Sequence, residues 1–309
     1  MEKNLAPIVL FVYNRPEHTR ITLEQLSQCE LAEKSVLYIF ADGPKANATE
    51  GQKEKIAQVR ALIGEKKWCG NVVLEMRENN LGLASSVRKG VSQVIEKHGK
   101  AIVLEDDLAV EKGFLRYMNA ALDFFETENK VWGISGFGHP LASYEEQEET
   151  FFLPIPCSWG WATWQRVWQK FIDTDERHLR EKMISGAIEK LRYNFGNYYF
   201  YEILDAQFAG RIDSWAALFH AVMYLNDGFF LFPKYSLVKN IGFDASATHT
   251  HEDNFFSKTP TKTFINPEKK PVVLTKSSLL VEKAFQNHFG KKSFAQRLLR
   301  RIKRFFGGN

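Results

Sequence analysis

Cysteine is scarce in this sequence of 309 residues, and long apolar runs are missing. The three cysteines, Cys29, Cys69 and Cys157, lie far apart and form no CxxC pair, which argues against a zinc site or a disulfide framework. The longest uncharged stretch, residues 150–165, contains two prolines and is too short to span a bilayer. The N-terminal apolar run lacks a secretory cleavage pattern and favours a first strand. We therefore expect a cytoplasmic protein.

Acidic residues are absent from the tail, residues 291–309, which carries seven basic residues. The whole chain has 41 basic and 37 acidic residues, but without the tail the balance is 34 to 37, which argues against a nucleic-acid partner. The tail places Phe294, Leu298, Ile302 and Phe305 on one helical face among basic residues, as in an interfacial amphipathic helix. We expect peripheral attachment to an anionic inner-membrane surface; the alternative is a solvated basic tail.

Apolar and aromatic residues are plentiful, at 44% and 14% of the chain, enough for one large globular unit. In the first 135 residues, strand-like runs alternate with helical patterns. The runs are Ile8–Tyr13, Val36–Ala41, Val72–Met76, Ala101–Leu104 and Val131–Ser135. Pro16 suits the first turn of a helix, and Thr49 with Gln52 resembles a capping box. This alternation predicts an α/β fold with a mainly parallel sheet flanked by helices.

The pattern changes after residue 150. Four tryptophans within ten positions favour core packing, and one or two of the rings could offer a flat face to a sugar. A helical region over 174–204 and an apolar helix over Ser214–Leu225 follow, with strand-like runs at Phe229–Phe232 and Ser236–Lys239. We expect two lobes of one compact unit. Their predicted ranges are 1–140 for the first lobe and 141–290 for the second, ahead of the tail.

Polar residues follow four predicted strands in the first lobe. The four segments are Asn14-Arg15, Asp42-Gly43, Asn79–Gly82 and Glu105-Asp106-Asp107. Because ligands of open parallel sheets bind beyond the carboxyl ends of the strands, four such ends together predict a ligand site. Any one of them alone is equally typical of a cap or a turn.

The triplet Glu105-Asp106-Asp107 carries the strongest signal for chemistry. Adjacent carboxylates repel one another unless a cation or solvent compensates. Hard oxygen ligands on a short loop suit Mg²⁺ or Mn²⁺, which keep positions open for phosphate oxygens. The alternative is a solvated acidic turn leading into the helix near Phe114.

Three further side chains are candidates for contacting a nucleotide. Arg15 has a planar guanidinium that can stack on a base or bond a phosphate, and Asp42 can accept from a nucleobase N–H. Both also suit structural positions, a surface for the arginine and a turn for the aspartate. Arg88 lies off the apolar stripe of its helix, so it is either solvated or turned to the ligand.

Four segments resemble the GT-A class of nucleotide-sugar glycosyltransferases. They are PIVLFVYNRPEHTRITLEQL, LYIFADGPK, ENNLGLASSVRKG and AIVLEDDL. More closely, the chain resembles bacterial sugar transferases related to the N-acetylglucosaminyltransferase that starts complex N-glycan branching, which has EDD in place of D-x-D. The resemblance covers about residues 6–250 and is most specific in the first 110; CSWGWATW and NIGFD…TH also match the bacterial group.

The resemblance implies a GT-A fold with a C-terminal acceptor lobe and gives roles to the first-lobe residues. Arg15 and Asp42 would contact the nucleobase. Glu105 and Asp106 would lie near the base and the ribose, and Arg88 near the ribose or the phosphates.

The resemblance also implies the metal ligands and a catalytic base. Asp107 would bind Mn²⁺ or Mg²⁺ directly, and His249 would help to hold the metal or the diphosphate. Asp213 would be the base; from the residues alone it also suits the N-cap of a helix that begins at Trp215. His249 alternates with His251 in a polar loop, where histidines are usually solvated.

The expected activity is metal-dependent inverting transfer of a sugar from a nucleoside diphosphate, with UDP as the implied nucleotide. The acceptor would be a hydroxyl of a glycan or of a lipid-linked molecule in bacterial surface polysaccharide synthesis. Two alternatives stay open, a sugar-phosphate nucleotidyltransferase and a non-catalytic carbohydrate-binding protein with a similar fold. The segment NRPEHT after the first strand argues against the former, because it lacks a glycine-rich nucleotide loop.

Overall fold

The computed structural model describes residues 4–139, 149–194, 199–242 and 265–267, and the backbone of residues 272–273. The strands among these residues are β1 (Ile8–Val12), β2 (Val36–Ala41), β3 (Asn71–Met76), β4 (Lys100–Glu105), β5 (Leu108–Val110), β6 (Val131–Ser135), β7 (Thr150–Leu153), β8 (Trp161–Trp164), β9 (Phe229–Pro233), β10 (Val238–Asn240) and β11 (Val272–Val273). The helices are α1 (Pro16–Ser27), α2 (Glu50–Ile63), α3 (Leu83–His98), α4 (Phe114–Phe124), α5 (Gln165–Asp173), α6 (Glu176–Ile184), α7 (Lys190–Tyr193), α8 (Phe200–Phe208) and α9 (Trp215–Leu225).

Most of the strands belong to one sheet. Within the described residues its order is β11-β7-β9-β6-β8-β4-β1-β2-β3. Strands β3, β2, β1 and β4 run parallel to one another, and β6 runs parallel to β9. Strand β8 is antiparallel to both β4 and β6, and β7 is antiparallel to β9. The prediction of an α/β fold with a mainly parallel sheet flanked by helices is confirmed.

The first-lobe strands are where the apolar runs predict them, and local sequence explains where the helices start. Pro16 opens α1, where its missing N–H is not needed. Thr49 caps α2 through a capping box with Gln52, as predicted. The predicted helical region 174–204 is broken into α6, α7 and the first part of α8.

The tryptophan-rich segment forms part of the core. Trp161, Trp164 and Trp168 are almost fully buried, and Trp159 is half-buried. Trp161 stacks on Trp215 of α9, with 4.9 Å between the ring centroids. The prediction of core packing holds for the three buried rings, and their burial leaves no face for a sugar.

A second, two-stranded sheet lies beside the triplet that follows β4. Strand β10 pairs antiparallel with β5, with Val238 opposite Val110 and Asn240 opposite Leu108. Because β5 begins directly after Asp107, this pairing brings the chain back from the second lobe to the predicted ligand edge.

Candidate functional site

The polar ends of the first four strands meet along one edge of the sheet. Val12, the last residue of β1, pairs with Ala41 of β2, which in turn pairs with Met76 of β3. On the other side of β1, Phe11 pairs with Glu105 at the end of β4. The four segments predicted as a ligand site therefore follow strands that end level with one another.

Arg15 and Asp107 are joined directly at this edge. Arg15 precedes the first residue of α1, and its Nη1 donates to Oδ2 of Asp107 at 2.7 Å. The side chains are only 14% and 19% exposed, so solvent screens this pair less than a surface pair. The structure brings together two of the predicted site residues that are 92 positions apart in the chain.

The other two residues of the triplet, Glu105 and Asp106, are half-buried. Burial, then the charges of Asp107 and Asp106, raise the pKa of Glu105 to about 8, against the opposing effect of Arg15. Burial, then Asp107, raise the pKa of Asp106 to about 7. Oδ2 of Asp106 accepts the backbone N–H of Tyr13 at 3.3 Å. Burial is the main cause of both raised pKa values, and the neighbouring carboxylates add to it despite the contact of Arg15 with Asp107.

Asp42 has protein donors on both carboxylate oxygens. Its Oδ1 accepts from Nη1 of Arg77 at 3.2 Å, and its Oδ2 accepts from the backbone N–H of Leu81 at 3.0 Å. The residue is 7% exposed. If Asp42 accepts a hydrogen bond from a nucleobase, as predicted, the nucleobase has to share these oxygens with Arg77 and Leu81.

Arg77 is a site residue that the sequence reasoning missed. It follows β3 directly, and besides Asp42 its Nη1 contacts the Ser86 hydroxyl at 2.7 Å in the first turns of α3. Its guanidinium also lies over the Phe40 ring, 5.3 Å from the centroid. Its position in the sequence could have indicated this, because Arg77 is the first residue beyond a predicted strand, as are other candidates for the ligand site.

Asp213 reaches the same edge from the second lobe. It is exposed, and its Oδ2 lies 4.0 Å from where a Cβ on Gly82 would stand. Gly82 precedes α3 and has a φ of +78°, a conformation that favours glycine. The alternative interpretation of Asp213 as an N-cap is wrong, because the adjacent Ser214 caps α9 by accepting from the N–H of Ala217.

Arg88, in α3, contacts an aromatic ring of α5. The half-buried Arg88 places its guanidinium over the ring of Phe171 in α5, 5.4 Å from the centroid. Its predicted contact with the ribose or the phosphates stays a prediction. His249 lies outside the described residues. Within the described ranges, no group of three or more His, Cys, Asp or Glu converges as a metal site.

Comparison with known proteins gives matches to solved structures alone. No protein-family model matches the sequence, and neither does any curated protein. Mouse xyloside xylosyltransferase 1, apo form, is 12% identical with a TM-score of 0.33, over 54% of this chain and 72% of that one. S. aureus TarS is 12% identical with a TM-score of 0.40, over 75% of this chain and 36% of TarS.

A second structure of S. aureus TarS, residues 1–349, is 11% identical with a TM-score of 0.41, over 77% of this chain and 61% of that one. TM-scores below 0.5 do not establish a shared fold, so we base no assignment on these matches. None of the described helices is long and apolar enough to cross a membrane.

Proposed function

We propose that the protein is a metal-dependent inverting glycosyltransferase with a nucleoside-diphosphate sugar, such as a UDP-sugar, as its donor. The observation that carries the proposal is the Arg15–Asp107 pair, held at the ligand edge of the sheet next to the half-buried Glu105 and Asp106. A guanidinium and a carboxylate in contact offer groups for both a diphosphate and its counter-ion. Asp213 adds an exposed carboxylate from the second lobe at the same edge.

The residues at the triplet fit a divalent cation. The guanidinium of Arg15 contacts Asp107, and burial, followed by the charges of the neighbouring carboxylates, raises the pKa values of Glu105 and Asp106. Mg²⁺ and Mn²⁺ are held by as few as one carboxylate when substrate phosphates complete the shell. Asp107 would be that ligand, with His249 as the second candidate. The ion would supply positive charge to the oxygens of the leaving diphosphate.

The chain's own residues would bind the donor and move one proton. Arg15, beside Asp107, would bind the diphosphate, while the ends of β1, β2 and β4 hold the nucleoside. The acceptor hydroxyl would attack the anomeric carbon from the face opposite the diphosphate, which leaves with the bonding electron pair. Asp213 would take the hydroxyl proton, and holding both substrates in one orientation supplies further rate.

Asp107 gives the sharpest test of donor and metal binding. We expect Mn²⁺ with a nucleoside diphosphate to raise the Tm of the wild type by several degrees through preferential binding to the folded state. Asp107→Asn keeps the size of the side chain but weakens metal binding, so the Mn²⁺-dependent part of the shift should disappear. Thermal shift across nucleoside diphosphates and nucleotide sugars, with and without Mn²⁺, measures this.

The released product distinguishes the alternatives. A glycosyltransferase releases a nucleoside diphosphate from a nucleotide sugar, whereas a nucleotidyltransferase acting on a sugar phosphate releases pyrophosphate. A wild-type protein that binds glycans but turns over neither substrate would favour the non-catalytic alternative. An Mn²⁺-dependent shift that Asp107→Asn leaves unchanged would contradict the metal role.

We also propose that the acceptor is a glycan or a lipid-linked molecule of the bacterial surface, met at the inner face of the membrane. The support is the sequence of the tail, residues 291–309, which lies outside the described residues and carries seven basic and no acidic residues. Deleting 291–309 should reduce co-sedimentation with anionic vesicles and leave neutral vesicles unaffected. Unchanged co-sedimentation would contradict membrane attachment.

A further inference from the structure

The chain that returns from the second lobe lies directly on Asp107. Strand β10 pairs with β5, and the next residue, Ile241, donates its N–H to the backbone carbonyl of Asp107 at 2.9 Å. Gly242 follows, and its own N–H donates to Oδ1 of Asn240 at 2.8 Å. Ile241 is therefore bound to the backbone of the triplet, and Gly242 is bound to the side chain of Asn240 in β10.

Gly242 has no room for a side chain. A Cβ at this position would overlap Oδ2 of Asp107, and it would lie 2.9 Å from Cγ of Asp107 and 3.0 Å from Nη1 of Arg15. These are the two side chains of the ion pair at the centre of the site. The glycine backbone therefore packs against the carboxylate oxygen that Arg15 contacts.

The backbone conformation does not explain this glycine. The φ of Gly242 does not lie in the left-handed region that favours glycine. The obstacle to a side chain is the Asp107–Arg15 pair itself.

We propose that Gly242 is a positioning residue for Asp107. By packing against Oδ2, the returning turn holds the carboxylate in one orientation toward Arg15, and a side chain at 242 would force the carboxylate to rotate or β10 to lift. Because the turn belongs to the second lobe, it fixes the geometry of the first-lobe site. The link to donor binding rests on the proposed function; the packing itself does not.

A double-mutant cycle tests the packing. We expect Gly242→Ala to lower Tm by several degrees in the wild-type background, because the new Cβ overlaps Oδ2 of Asp107 and fits only if the Asp107–Arg15 pair is displaced. In an Asp107→Ala background the overlapping atoms are gone, so the same substitution should change Tm by less than about one degree. Gly51→Ala is the matched control, since a Cβ there meets nothing within 4 Å.

The outcomes separate the inference from the proposed function. An equal loss of Tm in both backgrounds, or no loss in either, would overturn the positioning role. If Asp107→Ala does not fold, Asp107→Ser removes Oδ2 and serves as the second background. When a nucleoside diphosphate with Mn²⁺ raises the Tm of the wild type, Gly242→Ala should reduce that shift and Gly51→Ala should keep it. If the wild type shows no shift, the result counts against the proposed function, but the double-mutant cycle still tests the packing.

Discussion

At the scale of single residues, Arg77 joins three parts of the ligand edge. Its guanidinium binds Asp42 at the end of β2 and Ser86 in α3, from a position directly after β3. Both charged side chains are largely buried, at 12% and 9% exposure. Removal of one partner from such a pair leaves an uncompensated charge, which is where most of the energetic cost arises.

We predict that Arg77→Met destabilises the protein by about 3 kcal/mol, because Asp42 stays buried without its cation. Arg20→Met, which breaks the exposed pair with Glu65, is the matched control and should cost much less, because solvent screens this pair. Urea unfolding of the three proteins measures both effects. Equal costs for the two variants would show that the Arg77 pair does not hold this edge together.

The sequence predicted which residues of the site are polar but not which of them touch. Strand periodicity placed Arg15, Asp42 and Asp107 at one edge, and the structure agrees. The contact between Arg15 and Asp107 depends on the register of β1 with β4 and on the turn into α1. Neither is encoded in a local pattern, so the pair could not be predicted from spacing. The approach of Gly242 depends on tertiary structure in the same way.

At the scale of elements, the residue that caps α9, Ser214, is the neighbour of Asp213, the proposed base. Ser214 caps the helix through its hydroxyl, and its own N–H donates to Oε1 of Gln207 at 2.7 Å. Asp213, one position earlier, is exposed and turned toward Gly82. The cap of α9 is therefore Ser214, and Asp213 is left exposed for the role of base proposed above.

We predict opposite effects for substitutions at these two positions. Ser214→Ala should lower the free energy of unfolding by about 1 kcal/mol through loss of the cap and leave sugar transfer within a few fold. Asp213→Asn should leave stability nearly unchanged and reduce transfer by about 10²-fold or more, the usual contribution of a general base. Urea unfolding and a donor-turnover assay on both variants measure this. Normal transfer by Asp213→Asn would reject its role as base.

The antiparallel strand β8 was not predicted from the sequence. Its four residues, WATW, are all buried, so the run has neither the alternation of a half-exposed strand nor the length that indicates a strand by itself. Its place between β4 and β6 follows from pairing with Val103 and Ser135, both distant in sequence. Strands β1, β2 and β3, each followed by a helix of regular period, were predictable because their signals are local.

At the scale of the whole molecule, a buried histidine makes stability depend on pH. His220 of α9 stacks on Tyr193, with 4.3 Å between the ring centroids, and bonds the backbone of Pro154. Among the residues that the structure describes, its Nε2 has no hydrogen-bond partner. Burial lowers the pKa of His220 to about 3. Below pH 6.5 His220 is therefore protonated in the unfolded chain, whereas in the folded protein it stays neutral until the pH approaches 3.

We predict that His220 contributes a loss of stability as pH decreases from about 6.5 toward 3, so that the Tm of His220→Phe falls less over this range than the Tm of the wild type. Phenylalanine keeps the stacking but does not titrate. The exposed His178→Phe is the control and should leave the slope unchanged. Tm measured between pH 7 and pH 4 for the three proteins tests this, and parallel curves for wild type and His220→Phe would contradict it.

The position of β8 also sets the order in which the protein can fold during synthesis. Strand β4 has β1 on one side, but its other neighbour is β8, which lies about sixty residues further along the chain. A nascent chain that ends near residue 140 would therefore expose a row of unpaired backbone groups along a buried, apolar strand. The sheet of the first lobe can be completed only after β8 has been synthesised, so we expect the two lobes to fold together.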